Sequence, residues 1–209
     1  MTESTLWYFA DPMCSWCWGF SPVVQRLKEK YLHRMKFALV LGGLRPYTRE
    51  PITDKLREEI LHHWREVHKM TGQAFSFAGA MPEGFVYDTE PASRAVVAVG
   101  ELSPQATFGY FTAVQRAFYL EQKDVTQESV LVELLTPLSE DKQQFVQMFH
   151  SEHIKQKTQA HFHKSRQFGV RGFPTLILQD EQQYYLLTSG YRPYQELESE
   201  IDAYLSASQ

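Results

Sequence analysis

Both cysteines of the chain, Cys14 and Cys17, stand three residues apart, where an apolar segment turns into a helical one. Leu6-Trp7-Tyr8-Phe9-Ala10 reads as a short buried strand. Asp11-Pro12 breaks it. Beyond the cysteines, Val23, Val24, Leu27 and Tyr31 recur at helical spacing among Gln25, Arg26, Lys28 and Lys30. Pro22 falls in this helix and is expected to kink it. Met35 to Leu41 reads as a second buried strand, ended by Gly42-Gly43. Strand, helix, strand in so short a stretch is a βαβ unit, whose two strands run parallel.

From Pro51 to about residue 168 the pattern is almost wholly helical. Ile52, Leu56, Ile60, Trp64, Val67 and Met70 make one long apolar face, and a Gly- and Pro-containing loop follows from Thr71 to Gly84. Glu90 to Leu102 is rich in Ala and Val and is expected to be buried. Ser103-Pro104 starts a helix with Phe108, Phe111, Val114, Ala117 and Phe118 on its apolar face. Shorter helices start at Thr126-Gln127-Glu128-Ser129 and at Ser139-Glu140-Asp141-Lys142, and polar helix continues to Phe168. Gly169-Val170-Arg171-Gly172-Phe173-Pro174 interrupts. Thr175-Leu176-Ile177-Leu178 and Tyr184-Tyr185-Leu186-Leu187-Thr188 then read as an antiparallel hairpin turning at Glu181-Gln182. Pro193 opens a last helix carrying Leu197, Ile201 and Leu205. With no internal repeat, low-complexity tract or linker, the reading is α/β. Residues 1–48 and 169–209 form the sheet domain, and 49–168 a helical insertion between strands two and three.

A Cys-x-x-Cys spacing alone is a weak signal; its place at a strand-to-helix turn is the stronger one. A helix N-terminus presents unpaired N–H groups and partial positive charge. These favour thiolate over thiol by about 0.3–1 kcal/mol, up to about 2 when partly buried. A sulfur so placed, Cys14, both attacks and leaves well, and one helical turn brings Cys17 back beneath it. Other readings stay open. The cysteines could be inert core residues, or could bind zinc with two histidines. The eight histidines are scattered through polar helical sequence and are expected to be solvated, so no metal site is expected. Trp18 and Phe20 are expected in the core, and Trp16 is expected to face solvent, where it could meet a peptide-like partner. Pro174, at the start of a strand, is a candidate for a cis bond, but by its local sequence alone it reads as an ordinary trans Pro that ends the helix before it.

Composition narrows the function classes. Charged residues are 22% and hydrophobic ones 43% of 209, an ordinary globular balance. Net charge is −4, without the basic excess of a nucleic-acid binder. No apolar run approaches a membrane span, and Met1-Thr2-Glu3-Ser4-Thr5 shows no secretory signal. A cytoplasmic protein is the expectation.

Together, Cys14-Ser15-Trp16-Cys17 after a first strand, Pro22 and Gly172-Phe173-Pro174-Thr175 before a late strand resemble the thioredoxin superfamily. The helical insertion resembles its DsbA-like branch. Asp11-Pro12-Met13-Cys14-Ser15-Trp16-Cys17-Trp18-Gly19-Phe20, Arg116-Ala117-Phe118-Tyr119 and Gly169-Val170-Arg171-Gly172-Phe173-Pro174 resemble the FrnE-type oxidoreductases within it. The resemblance implies a thioredoxin-like fold with Pro174 cis, Cys14 as nucleophile and Cys17 as resolving thiol. It further implies that Ser15, Trp16, Phe173, Pro174 and Thr175 meet an extended substrate, Phe173 and Thr175 through their backbones. Relatives that place an acid six residues before the first cysteine differ here, where Tyr8 stands; the nearest acid is Asp11.

The function this implies is a cytoplasmic dithiol–disulfide oxidoreductase that reduces or isomerises disulfides in proteins or peptides. It needs no cofactor beyond its own dithiol and draws on a cellular thiol such as glutathione as reductant. Two further classes stay open. One is a non-catalytic DsbA-like adaptor for a protein partner. The other is a glutathione-dependent isomerase similar to 2-hydroxychromene-2-carboxylate isomerase, which typically has Ser where Cys14 stands.

Overall fold

The computed structural model describes residues 4–135 and 141–207. Its sheet has four strands: β1 (Thr5–Ala10), β2 (Lys36–Leu41), β3 (Thr175–Asp180) and β4 (Gln183–Ser189), in the order β2-β1-β3-β4. β1 runs parallel to β2, in register from Thr5 with Lys36 to Ala10 with Leu41, and antiparallel to β3. β3 and β4 form the antiparallel hairpin expected at Glu181-Gln182, with Glu181 in the left-handed region that so tight a turn asks for. The βαβ unit closes through α1 (Ser15–Tyr31).

β1 is apolar on both sides because both sides are covered. Leu6, Tyr8 and Ala10 face the main core with α1. Phe9 joins Val40 and Ile177 in a second cluster, against which Trp7 and Phe168 pack.

Among the described residues, six α-helices lie between β2 and β3: α2 (Asp54–Thr71), α3 (Glu90–Leu102), α4 (Thr107–Tyr119), α5 (Glu128–Glu133), α6 (Lys142–His150) and α7 (Glu152–Gln167). Helix α8 (Tyr194–Ala207) ends the described chain. Helices α2, α6 and α7 start on side-chain caps. Thr53 accepts from the Leu56 N–H and Ser151 from the Ile154 N–H, both at 3.2 Å. α6 starts after Asp141; the start expected at Ser139 and Glu140 lies outside the described residues. α3 is buried as its Ala/Val composition predicts, and the main core runs from Leu6 through Trp64, Val96 and Phe118 to Phe145.

Pro22 lies inside α1, which runs from Ser15 to Tyr31. Its missing N–H frees the Trp18 carbonyl, which accepts instead from the Ser21 hydroxyl (2.8 Å) and the Gln73 side-chain amide (3.2 Å). The apolar face read along α2 divides: Trp64 and Val67 enter the core, Leu56 and Ile60 are half-buried, and Met70 is 61% exposed. The expectation of solvated histidines also changes. His161 is not solvated: its Nδ1 accepts from the Leu41 N–H at 3.2 Å, satisfying a donor on the outer edge of β2. Burial, with help from Lys157 and Lys164, holds its pKa down at about 4.

Candidate active site

The turn after β1 is tied down from several directions before any chemistry is considered. The Asp11 carbonyl accepts from the Cys14 N–H at 3.1 Å. The fully buried Asp11 carboxylate accepts from the Met13 N–H (2.9 Å) and the Leu44 N–H (2.7 Å), joining the two loops that follow β1 and β2. The Tyr87 hydroxyl donates to the Met13 carbonyl. Burial raises the Asp11 pKa to about 6, against the lowering effect of its two backbone donors.

These ties place Cys14 at the N-cap of α1 and Cys17 one turn inside it. Both are free thiols, 6% and 0% exposed respectively. Burial, followed by the neighbouring Cys14 sulfur, pushes the Cys17 thiol well up from its ordinary value. Tyr8, on the sheet below, has its phenol held protonated by burial and then by the two sulfurs, Cys17 foremost.

The Phe173–Pro174 peptide bond is cis, and the Phe173 carbonyl accepts from the Cys14 Sγ at 3.5 Å. The two sequence motifs, 159 residues apart, therefore meet at one sulfur. Gly42 makes room for Phe173: a Cβ there would come within 1.9 Å of the Phe173 ring.

Cys14 opens onto a groove of about 440 Å³. Ser15, Trp16 and Phe173 line it beside the sulfur, and Leu56, Ile60 and His63 of α2 line it opposite. Trp16 is half-buried in this wall and packed on the core, not free in solvent as expected from its place between the cysteines. Trp18 is core, stacked on Tyr119 at 6.0 Å and 10°. Pro174 and Thr175 lie behind the groove: both are buried, the Thr175 hydroxyl donates to the Gly172 carbonyl, and the Thr175 backbone is in register between Phe9 and Ser189. Phe173 is thus the groove-facing member of that segment. Arg45 lines the groove as well, and its buried Nε has no hydrogen-bond partner among the described residues. No group of metal-ligating side chains stands together among the described residues.

Sequence reading missed Gly42, Arg45, Tyr87 and the part of α2 over the groove. Gly42 could be read only as the end of a strand. The other contacts join segments too far apart in sequence to leave a local pattern.

The family model for a DSBA-like thioredoxin domain matches residues 5–202. The chain belongs to the DSBA-like thioredoxin family. A candidate protein disulfide isomerase from Nitrosomonas europaea is 43% identical, with a TM-score of 0.93 over 99% of this chain and 100% of that one. The cytosolic disulfide reductase DsbM from Pseudomonas aeruginosa is 24% identical, with a TM-score of 0.80 over 97% and 99%. DsbM is also known with GSH, at 25% identity and a TM-score of 0.79 over the same shares. Among curated proteins, the ClpXP adapter protein SpxH of Halalkalibacterium halodurans is 24% identical over 90% of this chain. The match takes in 63% of SpxH, so the chain spans less than two thirds of that relative. The thioredoxin-like fold with helices between its second and third strands is therefore that of a DsbA-like family member.

Proposed function

We propose that the protein is a cytoplasmic dithiol–disulfide oxidoreductase that reduces or isomerises disulfides of proteins or peptides. The observation that carries this reading is the placement of Cys14. It caps a 17-residue helix, opens on a groove and lies 3.5 Å from the Phe173 carbonyl, with Cys17 sealed behind it. Cys14 attacks as the thiolate, the nucleophilic form of the sulfur. The thiolate attacks a substrate disulfide, whose S–S bond breaks as the Cys14–substrate bond forms and one substrate thiolate leaves. Cys17, held protonated until then, loses its proton and attacks Cys14. The mixed disulfide breaks, the Cys14–Cys17 disulfide forms, and the second substrate thiolate departs.

Ser15, Trp16 and Phe173 are the surfaces that would hold an extended substrate, with Pro174 and Thr175 supporting Phe173 from behind. A cellular thiol closes the cycle by reducing Cys14–Cys17. Glutathione fits this role: the Arg45 side chain on the groove is a cationic partner for a carboxylate, and DsbM, of similar fold, is known with GSH. The cytoplasmic assignment draws on DsbM, described as cytosolic. No helix among the described residues is long and apolar enough to cross a membrane.

Reduction of insulin disulfides with glutathione as donor tests the assignment. Cys14→Ser is expected to bring the rate to background; full activity in that variant would overturn the reading. The SpxH relatives favour a second reading, a protein adaptor. A partner held as tightly by Cys14→Ser,Cys17→Ser protein as by wild type would support it.

A further inference from the structure

β2 lies at one edge of the sheet. The Lys36 and Gly42 N–H groups donate to the Ser4 and Ala10 carbonyls. The even-numbered residues of β2 therefore turn their backbone groups toward β1, and the odd-numbered ones turn theirs outward. His161 of α7 takes the outward N–H of Leu41. Phe37 and Leu39 are the other two outward residues of the strand, and neither N–H has a hydrogen-bond partner among the described residues. Both residues are half-buried. With His161 they line a cavity of about 450 Å³ at this edge, which Val97 of α3 and Phe108 of α4 also line. The volume is in the range of small-ligand sites.

The charges of this cavity have one sign. Lys28, Lys36 and Lys157 line it, and no aspartate or glutamate among the described residues does, although the chain as a whole carries a net charge of −4. Lys157 bonds Glu101, which is not part of the lining. Lys28 has no carboxylate partner among the described residues; it is half-buried, with its ammonium 4.4 Å from the Phe108 ring centroid. Burial lowers its pKa, the mark of a cation partly withdrawn from water without a counter-charge. An anion in the cavity would offset that penalty. His161 accepts at Nδ1 and so carries its proton on Nε2, which makes the ring a donor as well.

We propose that this cavity binds a small amphipathic anion, an apolar body ending in one carboxylate. The carboxylate meets the Lys28 ammonium, and the apolar body lies along Phe37, Leu39 and Val97. The site shares no lining residue with the Cys14 groove, so it stands apart from the exchange reaction proposed above.

The test titrates the protein with decanoate and follows both the heat of binding and the backbone amide signals by nuclear magnetic resonance. Decanol, which lacks the charge, and propionate, which lacks most of the apolar body, are expected to bind at least about tenfold more weakly than decanoate. The amide signals of Phe37 and Leu39 are expected to shift with decanoate, and those of Ser15 and Trp16 in the Cys14 groove to stay in place. Lys28→Gln is expected to weaken decanoate binding at least about tenfold. Lys28→Arg keeps the cation and is expected to bind nearly as wild type does. The inference is overturned by absence of decanoate binding, by equal affinity for decanol, or by shifts confined to Ser15 and Trp16. Unchanged affinity in Lys28→Gln, or equal losses in Lys28→Gln and Lys28→Arg, would overturn it as well.

Discussion

Cys14 and Cys17 share a helix turn but not an environment: one opens on a groove, the other has no exposed surface. The side chain that sets their turn, Asp11, has a cost written into it. Its folded pKa, about 6, lies above the ordinary 3.8, so the folded protein binds this proton more tightly than the unfolded chain. The stability Asp11 contributes is full below pH 3.8 and is lost as pH rises through 6, by about 3 kcal/mol. His161 acts in the opposite sense. Its folded pKa of about 4 lies below 6.5, so its contribution is full above pH 6.5 and falls by a similar amount as pH drops toward 4. Between pH 4 and 6 the two slopes oppose each other. Denaturant titrations across that range are expected to separate them: relative to wild type, the stability of Asp11→Asn rises with pH and that of His161→Gln falls. Curves parallel to wild type would contradict these assignments. At this scale the two cysteines were legible, because residue type and local position define them; the cis bond at Pro174 was implied by the resemblance, whereas its local position alone reads as trans. The burial of His161 was not legible, because Leu41, whose N–H it accepts, is 120 residues away.

α1 could be read from its helical period, and β1 and β2 from their short apolar runs. What periodicity could not tell is what each apolar face meets. Leu56, Ile60 and Trp64 follow one helical stripe, but Trp64 fills the core while the other two look over the Cys14 groove. The end of β2 is a second case. Gly42 reads as punctuation, whereas in the fold it is the floor under the Phe173 ring. Gly42→Ala must push that ring away and with it the carbonyl beside Cys14. The expected result is a loss of about 1–3 kcal/mol in urea unfolding together with a lower insulin-reduction rate. Wild-type stability and rate in this variant would show that Phe173 does not need its present seat.

Over the whole molecule, the helical segment and the sheet are not separate bodies side by side. The main core includes Leu6 and Tyr8 of β1, Trp18 of α1, Trp64 of α2, Val96 of α3 and Tyr119 of α4 without a break. A single cooperative unfolding transition is expected, with tryptophan fluorescence and far-UV circular dichroism coincident. Two resolved transitions would mean that the helices hold together without the sheet. The same continuity joins α2 to the site, since the helix that buries Trp64 also forms one wall of the groove. The central claim is a division of labour between two thiols, and mixed-disulfide trapping tests it most directly. Cys17→Ser protein treated with glutathione disulfide should show, by intact mass and peptide mapping, one stable glutathione adduct on Cys14. Wild type should pass on to the internal Cys14–Cys17 disulfide with no adduct retained. Failure of Cys17→Ser to form the adduct, or an equally rapid adduct on Cys17 in Cys14→Ser protein, would contradict the account.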